Sequence, residues 1–366
     1  MSATSEADIS ASGVVDPVDA AQSAGLTHLT DEAPGIRRRK SGKGFTYRDP
    51  QGRTITDPEE IRRLTALAVP PAYTDVWISP DPNGHIQATG RDARGRKQYR
   101  YHPEFRKVRD STKFEHLVAF AEVLPAIRER VDADMRKRTL AREKVLATVV
   151  HLLETTLIRV GNPDYARQNQ THGLTTLGEH HVDVTGDSLR FVFRGKGGKE
   201  WKLAVRDRRV ARTVRLLEDI PGQRLFQWVD DDGHRHSVES ADVNAYLREI
   251  TGRDITAKDF RTWGGTVLAA LALAELDGFD SQAEAKKNLK AAIEQVAARL
   301  GNTPTICRRC YVHPEIPSAY LEGALAQSVT REAERARAGE PAGLEPEEAA
   351  VLAMLRARSA RGERAA

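Results

Sequence analysis

The stretch VDVTGDSLRFVFRGKGGKEWKLAV, from Val182 to Val205, decides the fold. Its apolar residues alternate with polar ones: Val182 and Val184, then Leu189, Phe191 and Phe193, then Trp201, Leu203 and Val205. A period of two belongs to half-buried strands. Asp187 and the run Gly195-Lys196-Gly197-Gly198 fall at the bends, which predicts a three-stranded meander with two hairpin turns. On both sides the period becomes helical. Upstream, Phe114, Leu117, Val118, Ala121, Leu124 and Ile127 recur at helical spacing, with a kink expected at Pro125. A second run covers Leu140 to Val160 and is closed by Gly161-Asn162-Pro163. Downstream, helices are predicted over 207–218, 240–250, 258–277 and 282–300. A further short helix starts at Thr303-Pro304, with Thr as the cap and Pro in the first helical position.

Working outward to the N-terminal side, residues 44–101 break into short segments separated by Asp49-Pro50-Gln51-Gly52, Pro70-Pro71 and Asp81-Pro82-Asn83-Gly84. Strand-like stretches lie between them at Phe45–Arg48, Val76–Ser79, Ile86–Thr89 and Lys97–Tyr101, with a helix near Glu59–Leu67. The fold class is therefore α+β, with a β-rich N-terminal domain and a mainly helical domain carrying one small sheet. The expected division is a disordered acidic arm over 1–34, a β-rich domain over 35–108, a mainly helical domain over 109–330, and a charged, Ala-rich tail over 331–366. That tail reads as a loosely attached helix. No internal repeat is visible.

The 366 residues are 40% hydrophobic and 30% charged, with no run apolar enough to predict a membrane span and no secretory leader pattern. Two cysteines, Cys307 and Cys310, cannot build a disulfide framework, and a reducing cytoplasm is the expected home. The formal charge is +4, but residues 1–36 carry six acids and no Lys or Arg, which leaves +10 on the rest. Residues 91–109 hold eight Lys or Arg against two acids. Such a stripe suits a phosphate backbone, and it also suits a merely solvated face. The run Arg37-Arg38-Arg39-Lys40 is read as another phosphate contact.

Four features carry chemistry. Arg159 sits among apolar neighbours in Leu157-Ile158-Arg159-Val160-Gly161 and needs an anion, either a carboxylate or a phosphate. Lys196 stands at the tip of a glycine-flanked hairpin that lacks the spacing of a P-loop; read alone it fits an ordinary turn. Lys258 and Arg261 share one helix face at i and i+3, a repulsive pair unless an anion lies between them. Finally, Asn302 in Leu300-Gly301-Asn302-Thr303-Pro304 is followed by Tyr311. A tyrosine hydroxyl titrates near pH ~10 and attacks poorly unless cations stabilise its phenolate.

In this order and at these spacings, the four features resemble the active site of the type IB DNA topoisomerases, over roughly Gly35 to Glu322. The resemblance implies that Tyr311 attacks the scissile phosphate, that Arg159 and Arg261 clamp it, and that Lys196 protonates the leaving 5′ oxygen. It further implies that Lys258 assists cleavage and that Asn302, where viral members carry His, donates one hydrogen bond. Gly95-Arg96-Lys97-Gln98-Tyr99-Arg100-Tyr101 resembles the family's DNA-facing strand, with Arg96, Lys97, Gln98, Tyr99 and Tyr101 as DNA contacts. A monomer closing around duplex DNA as a clamp, hinged near 103–112, is implied, acting near the nucleoid without ATP or an obligatory metal. A site-specific tyrosine recombinase is the nearest alternative, but Lys258 stands where recombinases usually carry His. A non-catalytic DNA-binding protein is the other.

Three groups are set aside. Cys307-Arg308-Arg309-Cys310 has the spacing of a redox or zinc half-site and is read as structural. Asp230-Asp231-Asp232-Gly233 is read as a loop turn. His180, His181, His234 and His236 are read as surface residues lacking a carboxylate at metal spacing, and Trp201, Trp228 and Trp263 as packing.

Overall fold

The computed structural model describes residues 17–42, 44–220, 222–276, 278–327, 329 and 343–365. Two compact units divide between His116 and Leu117. In the first, strands β1 (Ile36–Ser41), β2 (Gly44–Arg48), β3 (Thr74–Ile78), β4 (Ile86–Arg91) and β5 (Lys97–Tyr101) form one antiparallel sheet in the order β2-β1-β3-β4-β5. Helix α2 (Pro58–Ala66), capped by Asp57, lays Leu64 on Ile36, Tyr47, Val76, Ile78 and Ala88 to make the core of one sheet face.

The acidic arm departs from expectation. Residues 1–16 lie outside the described residues, but 17–34 are ordered. Helix α1 (Pro17–Ser23) buries Ala20 and Ala21 in a cluster with Phe105, joined by Tyr101 and Val108. The following segment runs along the sheet: Thr27 bridges Gly84, the Leu29 amide donates to His85 Nδ1 at 3.0 Å, and Trp77 Nε1 donates to Ala33 O at 2.9 Å. Trp77 is 1% exposed, so this segment covers a large apolar side chain that would otherwise face water. The run at Arg37–Lys40 is a strand, and Arg38 turns to the carbonyls of Val69, Pro70 and Tyr73, a structural use instead of the phosphate contact expected.

Helix α3 (Pro103–Met135) contains the 103–112 segment expected to hinge, and it runs through Pro125, the place of the expected kink. In the second unit, α4 (Arg142–Thr156) is almost wholly buried and stops at Leu157, whose left-handed backbone (φ 56°) ends it short of Val160. The meander forms as expected from β6 (Val182–Thr185), β7 (Ser188–Arg194) and β8 (Glu200–Arg206), in register Phe191 with Leu203 and Phe193 with Trp201. Around it stand helices over Arg208–Glu218 and Ser240–Thr251, then Ala257–Ala274 (here the site helix), Gln282–Leu300, Pro304–Cys310 and Glu315–Leu321. Asp259, at the third position of the site helix, accepts from the Thr256 amide and hydroxyl in a capping box. Thr303 Oγ1 accepts from the Ile306 amide and starts the Pro304–Cys310 helix.

The C-terminal helix, Pro346–Ala365, is anchored more firmly than its composition suggests. It buries Val351, Leu352, Met354 and Leu355, and Glu348 takes both Arg128 (2.7 and 2.9 Å) and the indole N–H of Trp263 (3.1 Å). Residues 331–342 of the expected tail lie outside the described residues.

Candidate active site

The turn at the end of the Gln282–Leu300 helix is the hub of the site. Gly301 adopts φ +63°, a left-handed cap that ends the helix. Each of the three residues around that turn receives something different. Leu300 O accepts from Arg261 Nη2 at 2.8 Å, Asn302 Oδ1 accepts from Arg159 Nη2, and Gly301 packs under the Trp201 ring. Arg261 also donates to Leu157 O, the residue that terminates α4.

Arg159 is presented by an extended segment. Its carbonyl accepts from the Leu174 amide at 2.9 Å, and the Val160 carbonyl from the Thr175 amide at 2.7 Å. That pairing brings Gly173 so close that a Cβ there would lie 2.5 Å from Arg159 O. Tyr311 leaves the Pro304–Cys310 helix as its cap, with its amide donating to Cys307 O at 2.9 Å. Its backbone rests on the site helix: a Cβ on Gly265 would meet Tyr311 O at 2.6 Å. The Arg261 guanidinium lies 5.0 Å from the centre of the Tyr311 ring.

Arg261 is 3% exposed, and among the described residues neither it nor Arg159 is paired with a carboxylate. Arg261 Nε and Asn302 Nδ2 are buried donors without a hydrogen-bond partner. Unpaired buried donors are costly, and donors gathered on one point are an anion receptor. Burial pushes the Arg261 guanidinium down to about 10, against the opposing pull of Tyr311. Burial alone would raise the Tyr311 hydroxyl, but Arg261, Arg159 and Lys258 outweigh it and bring it down to about 8. Lys196 is lowered by burial; the nearby Tyr311 resists that shift and Arg261 adds to it. Six residues far apart in sequence, Tyr311, Arg159, Lys196, Lys258, Arg261 and Asn302, thus meet in one place. A phenol easily ionised beside several cations can attack a phosphodiester, and the cations stand where charge would grow.

The N-terminal candidates divide. Lys97, Tyr99 and Tyr101 share a face: Lys97 Nζ lies 5.3 Å from the Tyr99 ring centre, and the two tyrosine rings stack at 5.9 Å. Gln98 is instead buried on the opposite face, its Nε2 donating to Asp92 Oδ2 at 3.1 Å, so it is not grouped with the tyrosines as expected. Arg96 also pairs with Asp92, at 2.7 Å. Lys97 is held by Asp31, at 2.7 Å, and Asp31 also accepts from Thr89 Oγ1. Asp31 escaped the sequence reading because its partner is 66 residues away and no local pattern marks it.

The groups set aside also need two corrections. His181 is partly buried, its ring tilted against those of His172 and His180, and burial with the neighbouring His180 and His172 brings it down to about 4. His234 and His236 do have a carboxylate: Asp230 lies between them, 2.7 Å from His236 Nε2. Asp230, Asp232 and His234 are the metal-spaced group among the described residues, on an exposed hairpin where Asp230 already accepts from the amides of Asp232 and His234.

A tyrosine set among arginines and lysines, on a helical domain with a three-stranded sheet, is the arrangement that strand transfer through a phosphotyrosyl bond requires. Residues 102–327 match the family described as eukaryotic DNA topoisomerase I, catalytic core, and residues 44–92 match bacterial DNA topoisomerase IB, N-terminal domain. DNA topoisomerase 1B of Acanthamoeba polyphaga mimivirus is 31% identical over 285 residues, covering 76% of this chain and 85% of the viral protein. DNA topoisomerase 1B of Vaccinia virus (strain Western Reserve) is 24% identical over 282 residues, 75% of this chain and 86% of the other. The chain belongs to the type IB DNA topoisomerase family.

Proposed function

We propose that this protein relaxes supercoiled duplex DNA by cutting one strand, letting the duplex rotate, and resealing it. The observation that carries the reading is Tyr311 held 5.0 Å from the Arg261 guanidinium, with its hydroxyl brought down to about 8. Tyr311 gives its phenolic proton to water, Oη attacks the phosphorus, the P–O5′ bond breaks, and its electron pair leaves on O5′. Lys196 gives O5′ its proton. Arg159 and Arg261 stabilise the added charge on the phosphoryl oxygens, Asn302 donates one hydrogen bond through Nδ2, and Lys258 adds charge beside Tyr311. The product is a 3′-phosphotyrosyl ester of energy similar to the bond it replaces, so the free 5′-OH can reverse the step and no nucleotide is consumed. An obligatory metal is not needed for this scheme, because side-chain cations fill its electrostatic role.

The β-rich unit, with Lys97, Tyr99 and Tyr101, provides the second DNA contact, and residues 35–108 and 109–330 are the two functional domains. The protein acts as a monomer on DNA in the cytoplasm, at the nucleoid. Among the described residues no helix is long and apolar enough to cross a membrane. The test is relaxation of positively and negatively supercoiled plasmid in EDTA without ATP. Relaxation of both signs is expected. Relaxation of neither, with strand exchange between paired sites instead, would move the protein to the recombinase reading.

A further inference from the structure

The Lys196 hairpin and the Gly301 turn carry residues on two sides of the site, and one side chain touches both. Trp201, in β8 and 7% exposed, stacks parallel to Phe193 of β7, with ring centres 6.1 Å apart and planes 2° apart. The pyrrole edge of its indole fills the space above Gly195, where a Cβ would lie 2.5 Å from Nε1 and 2.6 Å from Cδ1. The benzene edge fills the space above Gly301, where a Cβ would lie 2.4 Å from Cζ2. Gly195 immediately precedes Lys196, and Gly301 immediately precedes Asn302. Both glycines are therefore required by the same ring, Gly301 by its φ of +63° as well.

Three glycines in Gly195-Lys196-Gly197-Gly198 give the hairpin little intrinsic rigidity, and Gly197 and Gly198 both adopt positive φ. Among its other ties are backbone bonds, Gly195 N to Lys199 O at 2.8 Å and Gly198 N to Gly195 O at 3.0 Å, and a long contact from Lys199 Nζ to Ala298 O at 3.4 Å. A general acid must stand within hydrogen-bond reach of the atom it protonates. We infer that Trp201 is a positioning residue for cleavage: its indole sets the spacing between the Lys196 hairpin and the Leu300–Asn302 turn, and so aims the Lys196 ammonium at the leaving oxygen. This rests on the proposed role of Lys196 as the acid.

The test uses a leaving group that needs no acid. A strand in which sulfur replaces the bridging O5′ expels a thiolate, stable without protonation because thiols titrate near pH ~8.5. Single-turnover cleavage by Trp201→Ala should fall about 100-fold on ordinary DNA, as a misplacement near 1 Å can produce. On the sulfur-bridged strand it should stay within about threefold of the unsubstituted protein. Trp201→Phe, which keeps the stack on Phe193, should lose less. Gly195→Ala, which drives a Cβ into the same ring while Trp201 stays in place, should likewise be slow on ordinary DNA and restored by the sulfur-bridged strand, giving a second readout should Trp201→Ala fold poorly. Lys196→Ala is the control. If sulfur restores Lys196→Ala but not Trp201→Ala, the positioning role is overturned while the acid stands. If sulfur restores neither, Lys196 is not the acid and the inference falls with it.

Discussion

The two units hold their cations in opposite ways. In the N-terminal unit Arg38 is held by carbonyls, but the cations at the strand proposed to face DNA and beside it are matched to carboxylates: Lys97 to Asp31, Arg96 to Asp92, and Arg37 and Arg91 to Asp75. In the catalytic unit Arg159 and Arg261 are held by neutral oxygens, the Asn302 amide and the carbonyls of Leu157 and Leu300. A neutral acceptor fixes a guanidinium without cancelling its charge, so the whole charge remains for a phosphate. A cation already paired with a carboxylate must exchange one anion for another, and gains little net attraction in doing so. The catalytic cluster is thus preorganised, whereas the strand at Lys97 is a site of exchange.

The largest break in this comparison comes from the catalytic side. Arg159→Ala or Arg261→Gln should slow single-turnover cleavage by 10²–10³-fold or more, roughly 2.7–4 kcal/mol of transition-state stabilisation, with little change in DNA affinity. Near-normal rates in either variant, measured by trapping the covalent product, would remove that residue from the site.

A smaller effect concerns pH. The Tyr311 hydroxyl is brought down to about 8, so the single-turnover cleavage rate should rise about tenfold per pH unit below that value and level off above it. Below that pH the phenol is protonated and must lose its proton to attack; above it the phenolate is already present. At more alkaline pH the rate should fall again as Lys196 loses its proton, earlier than an ordinary lysine would. Arg261→Gln should move the ascending limb upward, because it removes the cation that most lowers Tyr311. An unmoved limb would mean another group controls it.

The smallest effect belongs to the exchange side. Lys97→Ala should weaken binding to duplex DNA only a few-fold, because the energy of its phosphate contact is offset by loss of Asp31. Asp31→Asn frees the charge of Lys97, and the slope of log affinity against log salt should steepen by about 0.9, one phosphate's worth of counterion release. An unchanged slope in Asp31→Asn would show that Lys97 meets no phosphate.

Much of this was legible in the chain. The meander showed through strict alternation, and the Thr303-Pro304 start was written in cap chemistry. The six candidate residues that the structure brings together were picked out by a family pattern; nothing local in each residue distinguishes an anion clamp from an ion pair. The burial of Gln98 against Asp92 follows from strand alternation, which turns it to the face opposite Tyr99, whereas the family pattern had grouped the two. Residues 17–34 lacked any period, and their order depends on distant partners such as His85, Trp77 and Lys97. The anchoring of the last helix was hidden in the same way, since Glu348 finds Arg128 and Trp263 only in three dimensions. Trp201 showed as sheet packing because the two glycines that need it lie 106 positions apart.

The central claim is that Tyr311 is the nucleophile of a DNA strand-transfer site, and covalent trapping tests it most directly. A DNA strand nicked just 3′ of the cleavage point loses its short 5′-OH fragment and cannot be resealed, so the protein stays attached. Incubation in EDTA without nucleotide, followed by protease digestion and mass spectrometry, should place the 3′-phosphoryl group on Tyr311, and Tyr311→Phe should bind the same DNA yet form no adduct. An adduct surviving in Tyr311→Phe, or mapped to another residue, would contradict the account.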